Sequence, residues 1–132
     1  MILLTQAPIT VPRAEEPCPP VGGFARLAPL DLFARLDVQG SPGALVRVRV
    51  QTSLDGGLTW FDLAVFAFTG AGMLAARLPG TSALAPSALP PLADGQSRDG
   101  PFGNRLRATV ESTGTWGLGT LVTVLAGAGG PC

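Results

Sequence analysis

The stretch Ser53-Leu54-Asp55-Gly56-Gly57-Leu58-Thr59-Trp60 lies between two runs of alternating apolar residues. It is the strongest turn signal in the chain, and it dictates that the flanking runs fold back on each other. An Asp-Gly step between two such runs predicts a tight primed hairpin turn. That turn needs φ > 0, which Asp tolerates and Gly adopts freely. On the N-terminal side, residues 44–52 place Ala44, Val46, Val48 and Val50 on one face and Leu45, Arg47, Arg49 and Gln51 on the other. Period two with β-branched residues on a single face is the pattern of a half-buried strand. On the C-terminal side, residues 58–69 carry apolar side chains at both parities, which predicts a strand that is central or covered on both sides.

The same reading extends along the chain. Residues 30–38 alternate, with Leu30, Leu32, Ala34, Leu36 and Val38 against Asp31, Phe33, Arg35 and Asp37. Short strands are also predicted at 73–78, at 104–112 with Leu106, Ala108 and Val110 inward, and at 118–125 with Leu118, Thr120, Val122 and Val124 on one face. Gly/Pro turns separate them and no helical period is sustained. About six or seven short strands of this kind predict an all-β, antiparallel β-sandwich with jelly-roll or immunoglobulin-like connections. Residues 1–23 hold Pro8, Pro12, Pro17, Pro19 and Pro20, which exclude a regular helix and predict an extended arm. The sandwich domain then runs over 24–126 and a Gly-rich tail over 127–132. Within the domain, residues 79–103 form a long Pro-rich loop. Its Leu84, Leu89 and Leu92 suit docking on a surface better than free solvation.

Composition narrows the chemistry. The 132 residues suffice for one domain with a core of its own. Nine Arg balance nine Asp and Glu, with no Lys and no His, so the chain is formally neutral. This argues against nucleic-acid binding, which calls for a basic face, and against a polybasic membrane-surface role. Charged residues make up only 14% and mean hydropathy is +0.37, as expected of a chain that buries surface against other subunits. The run Ile2-Leu3-Leu4 lacks a basic flank and is too short for a secretory signal, which predicts a cytoplasmic product or one assembled into a particle inside the producing cell. Residues 112–132 are uncharged but alternate as a strand, which points away from a membrane anchor.

Candidate catalytic groups are sparse. General acid–base work calls for His or for carboxylates with shifted pKa. The carboxylates that could approach one another are Asp31, Asp37 and Asp62, and no spacing requires them to meet. Cys18 has no His beside it, and Cys18 and Cys132 lack metal-ligand spacing. A terminus-joining disulfide and two unpaired thiols remain alternative readings of the two cysteines. No glycine cluster has phosphate-loop spacing, and Asp55 alone supplies too few ligands for calcium. No catalytic, cofactor or metal site is therefore assigned. Trp60 and Trp116 could each present a platform for a sugar ring, but core packing is the favoured reading of both, more so for Trp60, which closes the 53–60 turn, than for Trp116, in a Thr/Gly turn where exposure is plausible.

Residues 53–60 match the Ser-x-Asp-x-Gly-x-Thr-Trp pattern and resemble the Asp-box hairpin of sialidase-type propellers. The resemblance implies a structural turn in which Ser53 and Asp55 cap the loop, with Gly57, Thr59 and Trp60 completing it. It covers eight residues and implies no activity. A broader resemblance spans 45–125. It combines a Val-Arg-Val strand, the Asp-Gly-Gly turn, a Phe-rich strand, a Pro-rich loop, a Leu-Arg-Ala-Thr-Val strand and a final Leu-Val-Thr-Val strand. This order is similar to the small β-sandwich structural proteins of tailed phages and gene-transfer particles. It implies a homo-oligomeric head-decoration or accessory tail protein in a virion assembled in the host cytoplasm. Its partner would be the major capsid or tail protein. Pro17, Pro19, Pro20, Leu84, Leu89, Leu92 and Trp116 are then the expected interface residues. The alternative is a carbohydrate-binding β-sandwich, free or on a virion surface, that takes surface or host glycans through Trp116 and loop acids.

Overall fold

The computed structural model describes residues 2–8, 13–17, 30–38, 44–78, 89–98, 103, 105–116 and 119–128. These residues form eight strands and no helix. The strands are β1 (Ile2–Pro8), β2 (Arg13–Pro17), β3 (Leu30–Asp37), β4 (Leu45–Ser53), β5 (Phe61–Phe68), β6 (Gly72–Leu78), β7 (Arg105–Thr113) and β8 (Leu121–Ala128). They pair into two four-stranded antiparallel sheets. One, sheet A, has the order β1-β8-β3-β6, and the other, sheet B, has the order β2-β7-β4-β5. The chain is thus all-β and β-sandwich-like, with both sheets contributing to one hydrophobic core.

The alternation read from the sequence decides which face turns inward. Leu30, Leu32, Ala34 and Leu36 of β3, with Val122, Val124 and Ala126 of β8, supply the core side of sheet A. Val46, Val48 and Val50 of β4 and Leu106, Ala108 and Val110 of β7 supply the core side of sheet B. Registers such as Val48↔Val110 and Ala34↔Val124 set these residues side by side. A slip of one residue would turn every one of them to the other face.

Two differences from the sequence reading concern strands. Two segments of the Pro-rich arm lie within the sheets: Ile2–Pro8 pairs with β8 and Arg13–Pro17 with β7. Both are edge strands, where a proline's missing N–H need not interrupt a ladder, and in each case a proline closes the strand. The extended backbone expected for 1–23 is therefore present in these two segments, but as part of the sandwich. The second difference is β5. It ends its sheet and is not central, and both its faces are nonetheless covered, because residues 89–98 lie over its outer side.

Candidate functional site

The β4–β5 connection is wider than a primed hairpin. Thr52 pairs with Phe61, so residues 53–60 form an eight-residue loop. Among the described residues none other than glycine has positive φ; Gly56 and Gly57 take it, at 76° and 103°, so Asp55 keeps ordinary backbone geometry. What holds the loop is its side chains. Ser53 Oγ accepts the Gly57 N–H at 2.8 Å and donates to Asp55 Oδ1 at 2.9 Å. Asp55 Oδ1 also accepts from the N–H groups of Leu58 and Thr59, and Oδ2 accepts the Thr59 hydroxyl at 2.6 Å. These bonds, the Thr59 hydroxyl foremost, pull the Asp55 carboxyl down to about 2. Trp60 Nε1 donates to the Gly57 carbonyl at 3.0 Å. Ser53, Asp55, Gly57, Thr59 and Trp60 are thus gathered in one turn.

Trp60 does not pack into the core. It is half-buried on the outer face of sheet B, with the Arg107 guanidinium 4.4 Å from its ring centre, a cation–π contact. Arg107 Nε donates to Gln51 Oε1 at 2.8 Å, and Gln51 Nε2 donates to Asp62 Oδ1 at 2.9 Å. Asp62, 3% exposed, is the hub. Its Oδ2 accepts from Arg49 at 2.8 Å and from the Leu92 N–H at 2.9 Å. Arg49 also donates to the Leu92 carbonyl at 3.0 Å. Arg98 spans the Asp62 carbonyl at 2.8 Å and the Pro90 carbonyl at 2.6 Å. Arg47 grips Asp94 with a two-pronged contact and also binds Glu111. Its pKa rises accordingly, and that of Asp94 falls. A single polar network therefore joins the 53–60 loop, three strands of sheet B and the 89–98 segment.

That segment behaves as a further edge on sheet B. Val65 N–H donates to Gln96 O at 3.0 Å, Gly95 N–H to Val65 O at 3.1 Å, and Arg98 N–H to Leu63 O at 2.7 Å, with Ala64 bridged to Ser97. A cleft of about 300 Å³ opens between it and the 53–60 loop, lined by Arg49, Gln51, Trp60, Phe61, Asp62, Leu89 and Pro91. The charged and amide side chains on its floor hydrogen-bond to one another. With both oxygens of Asp62 accepting hydrogen bonds, that carboxylate is anchored, and the floor works as a clamp for the loops.

The remaining sequence-derived candidates fall as follows. Asp31 and Asp37 lie on the outer side of β3, paired with Arg77 and Arg35, whereas Asp62 lies on the outer side of the opposite sheet, so the three carboxylates do not meet. Trp116 is 3% exposed, packed in the core with Nε1 donating to Thr113 O at 3.1 Å, and offers no platform to a sugar. Leu89 is 39% exposed at the cleft rim, and Leu92 is half-buried with its backbone held by Arg49 and Asp62. Pro17 ends β2 opposite Thr109. Pro19, Pro20, Leu84, Cys18 and Cys132 lie outside the described residues. The sequence reading missed Arg49, Gln51, Asp62, Arg98 and Arg107 as one network. The available signal was Asp62, a lone carboxylate in an otherwise apolar strand, facing the polar row of β4.

Among the described residues no helix is long and apolar enough to cross a membrane, and no group of three or more Cys, Asp or Glu could hold a metal ion. Comparison with protein families, with curated proteins and with solved structures finds no match to this chain.

Proposed function

We propose that the chain is a non-enzymatic structural protein of a tailed-phage-like particle, built on an eight-stranded jelly roll, that docks on and stabilises the capsid or tail. One observation carries this reading. The strands nest as antiparallel partners, β1 with β8, β2 with β7, β3 with β6 and β4 with β5, and alternate between the sheets. That wrapping is the jelly-roll order, not the immunoglobulin one, and jelly rolls recur in viral capsid domains. The low charge of the chain and the clamped carboxylate of the cleft are in keeping with a role that depends on burying surface, at about 25 cal/mol per Å² before entropic costs. Decoration of an assembled lattice is the favoured role, in a virion put together in the host cytoplasm.

Jelly rolls are also lectin folds. The glycan reading called on Trp116 together with loop acids, and the burial of Trp116 takes that ring out of any sugar-binding surface. The test is co-sedimentation of the purified chain with particles that lack it. Saturable binding at a fixed number of copies per particle is expected, and a chain that stays in the supernatant at every concentration overturns the proposal.

A further inference from the structure

Four strands end the two sheets, and three of those ends are protected. β1 carries a register shift between Leu3 and Thr5 and closes on Pro8; β2 carries one between Arg13 and Glu16 and closes on Pro17. The outer edge of β5 is hydrogen-bonded to 95–98. Bulges, prolines and a covering segment are the standard means by which sheets prevent edge-to-edge pairing. Among the described residues β6 has no register shift and no proline, and Gly95, Gln96 and Ser97 line a groove with its Leu74–Arg77 stretch without pairing to it. It pairs with β3 in unbroken register from Leu30↔Leu78 to Leu36↔Gly72. No described strand lies on its other side. Met73 is 67% exposed and Leu74 40%.

We infer that β6 is the self-association edge of this protein, pairing antiparallel with β6 of a second copy about a two-fold axis at Ala75, so that the two A sheets form one eight-stranded sheet. The outer face around β6 is self-complementary in this arrangement. The register to β3 sets Phe33 beside Ala75, Asp31 beside Arg77 and Arg35 beside Met73. Across the axis, the central row becomes Phe33 and Ala75 meeting the partner's Ala75 and the partner's Phe33, which is small and apolar. The flanking rows set Met73 against the partner's Arg77, so no like charges are opposed. The charged residues of this face are already matched within each copy. Arg77 contacts both oxygens of Asp31, at 2.6 and 3.2 Å, and Arg35 lies 3.2 Å from Asp37. Bringing two copies together therefore opposes no uncompensated charge. Backbone pairing along the strand supplies affinity, and the single Met73/Ala75/Arg77 register supplies specificity. The choice of a second copy as occupant rests on the structural-protein reading above as well as on this complementarity.

The test measures solution mass over a concentration series for the wild-type chain and for Ala75→Lys. Ala75 is exposed, so the lysine is tolerated in the single chain, but on the two-fold axis it faces its own copy. A reversible dimer is expected for the wild type, with dissociation strengthened at least tenfold in Ala75→Lys and an unchanged circular dichroism spectrum. A second measurement covers a variant that folds poorly. Ala75→Cys in a Cys18→Ser/Cys132→Ser background should be captured as a covalent dimer by a short bifunctional thiol reagent, and Leu89→Cys in the same background should not. A wild-type chain that is monomeric throughout, a dimer indifferent to Ala75→Lys, or equal capture at Leu89 each overturns the inference. Particle co-sedimentation separates the two proposals. A chain that binds particles without pairing through β6 removes this inference alone, and a β6 dimer that binds no particle removes the functional reading alone.

Discussion

β5 and β6 are consecutive strands joined by a three-residue turn, and each ends its own sheet. Yet β5 is buried at all but two of its eight positions, while β6 is buried only at Leu78. Part of the contrast lies on the core side, where β6 leaves Leu74 40% exposed opposite Ala34 while Ala64, Phe66 and Phe68 of β5 are buried. The rest lies on the outer side. Val65, outward on β5 and opposite Arg49, is only 2% exposed because 89–98 covers it, whereas Met73, outward on β6 and opposite Arg35, is 67% exposed. The comparison separates two kinds of sheet edge. One is closed within the chain by a polar clamp, and the other is left open.

The most damaging change to the closed edge is Asp62→Ala. It leaves Arg49, Gln51 and the Leu92 N–H without their shared acceptor in a place where water barely reaches. Breaking a buried pair from one side costs about 3 kcal/mol or more. The loss should appear in urea unfolding at unchanged slope, and hydrogen exchange should show the Val65, Gly95 and Arg98 amides losing protection together. If those amides keep their protection, the clamp is not what closes β5, and the contrast with β6 needs another cause.

Val65→Ala probes the same cover from its apolar side. It removes two methyl groups' worth of contact beneath 89–98 and should cost about 1.5 kcal/mol. A cost near zero would mean that the segment lifts freely from Val65 in solution.

How much of this was legible in the sequence follows from the kind of interaction involved. The inward faces of β3, β4, β7 and β8 were readable because burial on one side writes itself into period two. The apolar outer parity of β5 was readable as well, but it left open whether the strand is central or covered, and by which segment. The clamp was not readable, because Asp62, Arg98 and Leu92 are brought together by a chain reversal that no local pattern encodes. β1 and β2 were hidden by their prolines, which forbid helices but are compatible with edge strands. The 53–60 loop was legible as a turn and not in its geometry. Asp55 does its work by side-chain bonding to Leu58 and Thr59, leaving positive φ to Gly56 and Gly57.

Acid sharpens the comparison by acting on carboxylates at both edges. Hydrogen bonding holds Asp94, in the cover of β5, and Asp31, beside β6, below the ordinary 3.8, and Asp55 at about 2. For a carboxyl whose folded pKa lies below its unfolded one, the stabilisation is complete above 3.8 and lost as pH falls through the folded value. Melting temperature should therefore fall as pH drops from 3.8 toward about 2, and the gap between wild type and Asp55→Asn should narrow over that range. A gap that holds constant would show that the Asp55 bonds do not persist in solution.

The smallest effect is expected on the open edge. Met73→Ala removes a longer side chain than Val65→Ala does, but one that is already two-thirds in water, so size and cost should run in opposite directions. Measured in the Ala75→Lys background, where self-association is blocked, Met73→Ala should change unfolding free energy by less than about 0.5 kcal/mol. A loss comparable to that of Val65→Ala would mean that Met73 is covered within the single chain, and β6 would then be a closed edge like β5. Without the Ala75→Lys block, any added cost of Met73→Ala should grow with protein concentration, because only the associated form buries that side chain.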